Sequence, residues 1–197
     1  MRYDSEHRER TRQRILQVAA AAIRKQGISR IALADVMSGA ELTHGGFYLH
    51  FKSKGDLIAE AITYMFDERY GRFLERFSDA DAQEALSAFI DFYLSVPHLE
   101  APERGCPVPM LASDVAHLPD DARRRFVAGV ALLIDGLAAL LERAGVADPR
   151  QQANSMLAEL AGSFNLARTL GGGPSVTEAL EASRHAMKQR FGIVGRG

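Results

Sequence analysis

Residues 34–54, ADVMSGAELTHGGFYLHFKSK, constrain this chain more than any other stretch. Ala34, Val36, Met37 and Ala40 recur as the small apolar face of a short helix. Glu41 and Leu42 then make a tight turn, and Thr43 is placed to cap a second short helix with its hydroxyl. Phe47 and Phe51, four apart, share the inward face of that second helix. His44, Gly45, Tyr48 and His50 fall mainly on other faces, and so short a helix cannot hide them in a core. Gly45 and Gly46 each cost roughly 1 kcal/mol against Ala in a helix, which makes sense where backbone must approach another surface closely. The spacing is that of a helical hairpin in which the second helix is displayed. A hairpin without a ligand and a helix-turn-helix entering the DNA major groove both satisfy it. Tyr48, Lys52 and Lys54 are donors suited to phosphate oxygens and favour the second.

GFYLHFKSKGDL resembles the recognition-helix signature of the TetR family of one-component repressors. Residues 14–27 resemble that family's first helix and ADVMSGAELT its second, so the resemblance covers roughly residues 8–60. It implies an all-α chain: an N-terminal three-helix helix-turn-helix DNA-binding domain, then a helical ligand-binding and dimerisation domain. The division is expected at residues 1–54 and 55–197, the connecting helix beginning near the boundary and running past residue 60. Two positions depart from the family. Ala32 replaces the usual capping Ser or Thr of the second helix, and Glu41 stands where the turn usually has Gly, which predicts a strained or adjusted turn.

Charge is distributed as that division requires. The chain's net charge is −1, but residues 1–54 hold ten Lys/Arg against five Asp/Glu, and residues 55–197 fourteen against twenty. A basic head on an acidic remainder fits a DNA-binding domain joined to a part with another task. The N-terminal arm supplies Arg2, Arg8, Arg10, Arg12 and Arg14. A solvated helix start is the ordinary reading of such a run. Beside a helix-turn-helix, Arg12 and Arg14 are the candidates for phosphate contacts. The expected DNA-binding set is therefore Arg12, Arg14, Thr43, His44, Gly45, Gly46, Tyr48, His50, Lys52 and Lys54, with His44 reading a base.

Ile15, Val18, Ala19, Ala22 and Ile23 predict the first helix, ended by Gly27. Another helix is expected from Lys54 to about Ser78, capped by Ser53. Residues 81–96 carry the stripe Ala85, Leu86, Phe89, Ile90, Tyr93 and Leu94. Four prolines break residues 97–109, and a helix of about ten residues follows, stopping before Pro119. Pro119, Asp120 and Asp121 suit the first turn of a helix that Gly145 ends. Two further helices are expected over residues 149–170 and 175–191. GGGP between them lacks the Lys and Ser/Thr of a phosphate-binding loop and reads as a linker.

The resemblance implies that the last two helices pair with their copies in a homodimer. Met156, Leu157, Leu160, Ala161, Phe164 and Leu166, with Val176, Ala179, Leu180, Ser183, Met187 and Phe191, are the side chains on offer; the same stripes also serve the chain's own core. Two recognition helices in one dimer would read a palindromic operator in double-stranded DNA.

A ligand pocket in a helical body is apolar with a few polar anchors. The candidate lining is Phe89, Tyr93, Cys106, Met110, Phe126, Phe164, Asn165 and Arg168. Each aromatic serves equally as plain core. Cys106 is the one cysteine, which excludes an intramolecular disulfide. It reads either as a buried small apolar residue or as a thiol activated at a helix start near Arg104 and reachable in a proline-broken segment. RGCPVPMLASD resembles a TetR subgroup with a Gly-Cys pair here, which includes repressors responsive to electrophiles.

His98, Cys106 and His117 match no compact zinc spacing, so neither a metal nor any cofactor is expected. A Cys–His enzyme would leave the hairpin unexplained, and a helical interaction module without DNA is the other alternative. No uncharged run approaches the ~18 residues that span a bilayer, and the N-terminus lacks the apolar middle of a signal peptide. The expected protein is a cytoplasmic, non-membrane repressor released from DNA by a small-molecule or electrophile inducer; an activator or co-repressor-dependent regulator is the runner-up.

Overall fold

The computed structural model describes residues 2–71 and 80–193. Nine α-helices are found among them, with short 3-10 and π turns between, and no strand. The chain divides into two compact units. One comprises Met1–Arg69 with Pro102–Gly129, the other Tyr70–Ala101 with Val130–Gly197. This division follows compactness and differs from the functional one expected at residue 54.

In the first unit, α1 (Arg2–Gln26) buries Ile15, Ala19 and Ile23. Gly27 ends it with φ +82°, a backbone geometry that suits glycine. Helix α2 (Leu33–Gly39) buries Val36 and Met37 and has no side-chain cap, as Ala32 predicts. It closes with Leu42 N–H donating to the Met37 carbonyl (2.9 Å) around Glu41, whose φ is +58°. This is the left-handed stop that glycine ordinarily occupies, so the expected adjustment at Glu41 is real. Gly39 is needed for close packing, since a Cβ there would lie 2.9 Å from Val18 Cγ1.

Helix α3 (Lys54–Phe66) starts on Ser53, whose hydroxyl accepts from Asp56 N–H at 3.1 Å; Asp56 in return accepts from Lys52 N–H at 2.9 Å. Its buried face is Leu57, Ile58, Ala61, Ile62 and Met65. It passes into a π turn over Asp67–Gly71. The rest of the helix expected to reach Ser78 lies outside the described residues.

The later part of this unit departs from expectation. A 3-10 turn covers Pro102–Arg104, and α6 (Pro107–Leu111) has five residues. The ten-residue helix expected before Pro119 is instead that short helix and a 3-10 turn at Val115–His117. Prolines at 107 and 109 sit in the first turn of α6, where the missing N–H groups have no partner within the helix. Helix α7 (Asp120–Arg143) begins here and brings Phe126 edge-on to Phe66, centroids 5.7 Å apart. Phe66 lies so close to Gly129 that a Cβ would sit 2.2 Å from its ring.

The second unit holds α4 (Ala82–Tyr93), α5 (Val96–Glu100), the rest of α7, α8 (Pro149–Thr169) and α9 (Pro174–Arg190). Pro97 does not break the chain. It occupies the first turn of α5, which Ser95 caps. Leu133, Leu137 and Leu141 from α7 are buried, as are Met156, Leu157, Leu160 and Phe164 from α8 and Val176, Leu180 and Met187 from α9. Most of the stripe offered for dimer contacts therefore faces this chain's own core. Among the described residues no helix is long and apolar enough to cross a membrane.

Candidate nucleic-acid interface

The recognition segment is a 3-10 helix, His44–Leu49, rather than the α-helix expected. Two glycines in six residues weaken it, and so short a helix gains little from cooperativity. Thr43 holds the cap position, but its hydroxyl accepts no capping hydrogen bond. The turn is closed by backbone instead: Gly46 N–H donates to the Thr43 carbonyl (3.0 Å), and His50 N–H to that of Phe47 (2.9 Å).

What the segment's own hydrogen bonds do not hold, its rings do. Phe47 and Phe51 are buried and stacked, centroids 5.7 Å apart. Tyr48 packs edge-on against Phe47 at 5.1 Å yet remains 67 % exposed. Leu49 is 70 % exposed, a displayed residue that sequence reasoning passed over. The signal was present, because an apolar residue off the Phe47/Phe51 spacing has no core position to fill. Thr43, His44, Gly45, Lys52 and Lys54 are exposed and Gly46 is half-buried. A Cβ at Gly45 would meet nothing within 4 Å, so the chain itself does not demand glycine there.

The remaining expected members behave differently. His50 is half-buried, its Nδ1 sealed from solvent without a hydrogen-bond partner. Its pKa is lowered from the ordinary imidazole value, first by burial and then by the charges of Arg8 and Arg12. Arg14 reaches Glu41 at 3.5 Å while staying largely exposed. Arg12 is engaged inside the unit: it pairs with Glu60 of α3 and covers the Phe51 ring, its Cζ 4.7 Å from the centroid.

The expected ligand set is split. Phe89, Tyr93 and Phe164 come together in the second unit around buried His98, whose ring lies 5.3 Å from Tyr93 and 4.4 Å from Phe164. Cys106, Met110 and Phe126 belong to the first unit. His98 also falls in the second unit and His117 in the first, and no three His, Cys, Asp or Glu converge among the described residues.

Cys106 has no exposed area, against the reach expected of a proline-broken segment. It caps α6, its Sγ accepting from Val108 N–H at 3.4 Å, and Arg104 lies at the surface beside Glu103. Arg168 borders a cavity of about 360 Å³ in the second unit, floored by Val96, Leu99, Ala167 and Val176 and rimmed by Glu100, Thr177 and three glycines. Asn165, on the same helix, is half-buried and does not line it.

Residues 15–61 match the family described as "Bacterial regulatory proteins, tetR family". The HTH-type transcriptional regulator AcrR of Shigella flexneri is 42 % identical over 52 residues, 26 % of this chain and 24 % of that protein. The match thus spans about a quarter of that relative's length. Over the whole fold, a TetR transcriptional regulator from Legionella pneumophila superposes with TM-score 0.78 and 27 % identity, covering 90 % of this chain and 95 % of that one. NemR of E. coli in its reduced form superposes with TM-score 0.79 at 21 % identity, covering 91 % and 96 %, a likeness of fold.

Proposed function

We propose, for a chain that belongs to the TetR family of transcriptional regulators, a cytoplasmic repressor that binds a palindromic operator as a homodimer and leaves it when a small molecule binds. The observation that carries the DNA reading is the display of His44, Gly45, Tyr48 and Leu49 on a scaffold whose rings point inward. A glycine with open space around it and a cap hydroxyl that makes no capping hydrogen bond are features that an outside surface would use. Tyr48, Lys52 and Lys54 serve phosphates, and His44 with Leu49 meets base edges.

The dimer reading rests on the faces of α8 and α9 turned away from the core. Ala158, Gly162 and Leu166 are exposed on one and Ala182 and Ala186 on the other, and all but Leu166 are small enough for close helix approach. The inducer is a small molecule held without a covalent bond. The aromatic cluster and the Arg168 cavity of the second unit are its candidate seats, while buried Cys106 fits a packing role better than a sensing one.

The test is selection of duplex DNA from a random pool by purified protein, followed by affinity measurement across a salt series. Enrichment of a palindrome, with affinity falling steeply as salt rises, is expected. Failure to enrich any sequence would remove the operator reading. Treatment with N-ethylmaleimide should leave DNA binding of wild type and Cys106→Ser equally intact. Loss in the wild type alone would restore the thiol as sensor.

A further inference from the structure

Arg12 stands in the basic row of α1, where its charge suggests a phosphate contact, but its surroundings say otherwise. Its guanidinium is paired with the Glu60 carboxylate, and the two side chains are only 26 % and 19 % exposed. The same guanidinium covers the face of Phe51, the ring that anchors the end of the recognition segment and stacks on Phe47. Three elements thus meet at one side chain: α1 through Arg12, α3 through Glu60, and the recognition segment through Phe51. A planar guanidinium satisfies both neighbours together, since it gives in-plane N–H groups to a carboxylate while its face lies on a ring.

The need for such a device follows from the segment itself. It has six residues, two of them glycine, and no side-chain cap. Local hydrogen bonding alone cannot set the direction in which Tyr48 and Leu49 project. Ser53 and Asp56 fix where α3 begins. Arg12 reaches the Phe51 ring, and its charge is already answered by Glu60.

We propose that Arg12 and Glu60 form a positioning pair that orients the recognition segment through Phe51, and that Arg12 does not donate to DNA phosphate. The proposal rests on the DNA-binding reading above. It assigns α1's phosphate contacts to its exposed arginines, Arg8, Arg10 and Arg14.

The two roles predict opposite results. A phosphate contact contributes to the salt dependence of binding, each one adding about 0.9 to the log–log slope. It would also be strengthened by freeing the arginine from its carboxylate. A positioning pair contributes nothing to the slope, and breaking either partner misdirects the segment.

The experiment measures wild type, Arg12→Ala, Glu60→Gln and the double variant on the selected palindrome and on unrelated duplex DNA, each across a salt series. Expected are a roughly tenfold weaker operator affinity for each single variant and no further loss in the double. Binding to unrelated DNA and the salt slope should stay unchanged. Glu60→Gln keeps the size and shape of the side chain, so it carries the test even where Arg12→Ala fails to fold. Arg12→Lys, which keeps the charge but loses the planar face, should fail to restore operator affinity.

A slope reduced by about one contact in Arg12→Ala, or tighter binding by Glu60→Gln, overturns the proposal while leaving DNA recognition standing. So does additive loss in the double variant. Absence of any DNA binding by wild type overturns both.

Discussion

In the first unit, several contacts that join distant stretches of chain are directional. Buried Arg24 donates to Glu68 at 2.8 Å, to the Met65 carbonyl at 3.1 Å and to the Glu103 carbonyl at 3.2 Å. Asp114 accepts from Ile28 N–H at 3.3 Å, and Arg125 donates to Thr63 at 3.3 Å. In the second unit the corresponding centre is a stack of rings. Tyr70, Phe89, Tyr93, His98 and Phe164 follow one another with centroids 4.4–6.2 Å apart. Its ion pairs, such as Lys188 with Asp91 at 2.6 Å, lie at partly exposed positions and count for less. A hydrogen bond fixes direction, whereas rings mainly fill volume and tolerate rearrangement. The difference suits the roles proposed above, a unit that holds a displayed segment and one that accommodates a ligand.

Breaking that contrast should show most clearly at Arg24. Arg24→Met strands Glu68 and two carbonyls and should cost about 3–5 kcal/mol in chemical denaturation. Arg24→Lys should recover less than half, because an ammonium cannot span the same three acceptors. Phe164→Leu in the ring stack should cost only about 1 kcal/mol. Equal losses for Arg24→Lys and Phe164→Leu would erase the distinction.

Gly129→Ala probes a place in the first unit where a ring, rather than a polar contact, leaves no room. Overpacking against Phe66 should cost about 2–3 kcal/mol, read as a lowered denaturant midpoint. A neutral result would mean that the Phe66 ring moves freely.

Glu41→Gly runs the other way. It relieves the left-handed strain at φ +58° and loses only a weak exposed pair with Arg14. Stability should rise by about 0.5–1 kcal/mol in thermal unfolding. A fall would show that the Arg14 contact outweighs the strain.

The smallest effect concerns pH. His50 has a lowered pKa when folded, so the unfolded chain binds the proton more readily. Its contribution to stability is complete above the ordinary imidazole pKa of about 6.5 and is lost as pH falls through the lowered folded value. His50→Gln should therefore flatten the decline of stability with acidity below about pH 6.5. Parallel curves for wild type and variant would exclude His50 as the source.

What could be read from the sequence alone was whatever repeats over a long enough stretch. The stripes of α1, α4, α7, α8 and α9 were legible because each helix presents three or more turns of apolar spacing. The caps at Ser53 and Gly145 and the strained stop at Glu41 were legible too, because cap chemistry is local. Residues 15–61, which match a family model, announced themselves through many residue types at fixed spacing. The tertiary structure decided what depends on distant partners. It made His44–Leu49 a 3-10 turn, whose few backbone hydrogen bonds are supplemented by the buried rings of Phe47 and Phe51. It turned Arg12 inward to Glu60, buried Cys106, and assigned Phe89, Tyr93 and Phe164 to one unit and Met110 and Phe126 to the other. Residue type marks which groups are able to interact. Only the folded chain decides which of them meet, because the partners lie tens of residues apart.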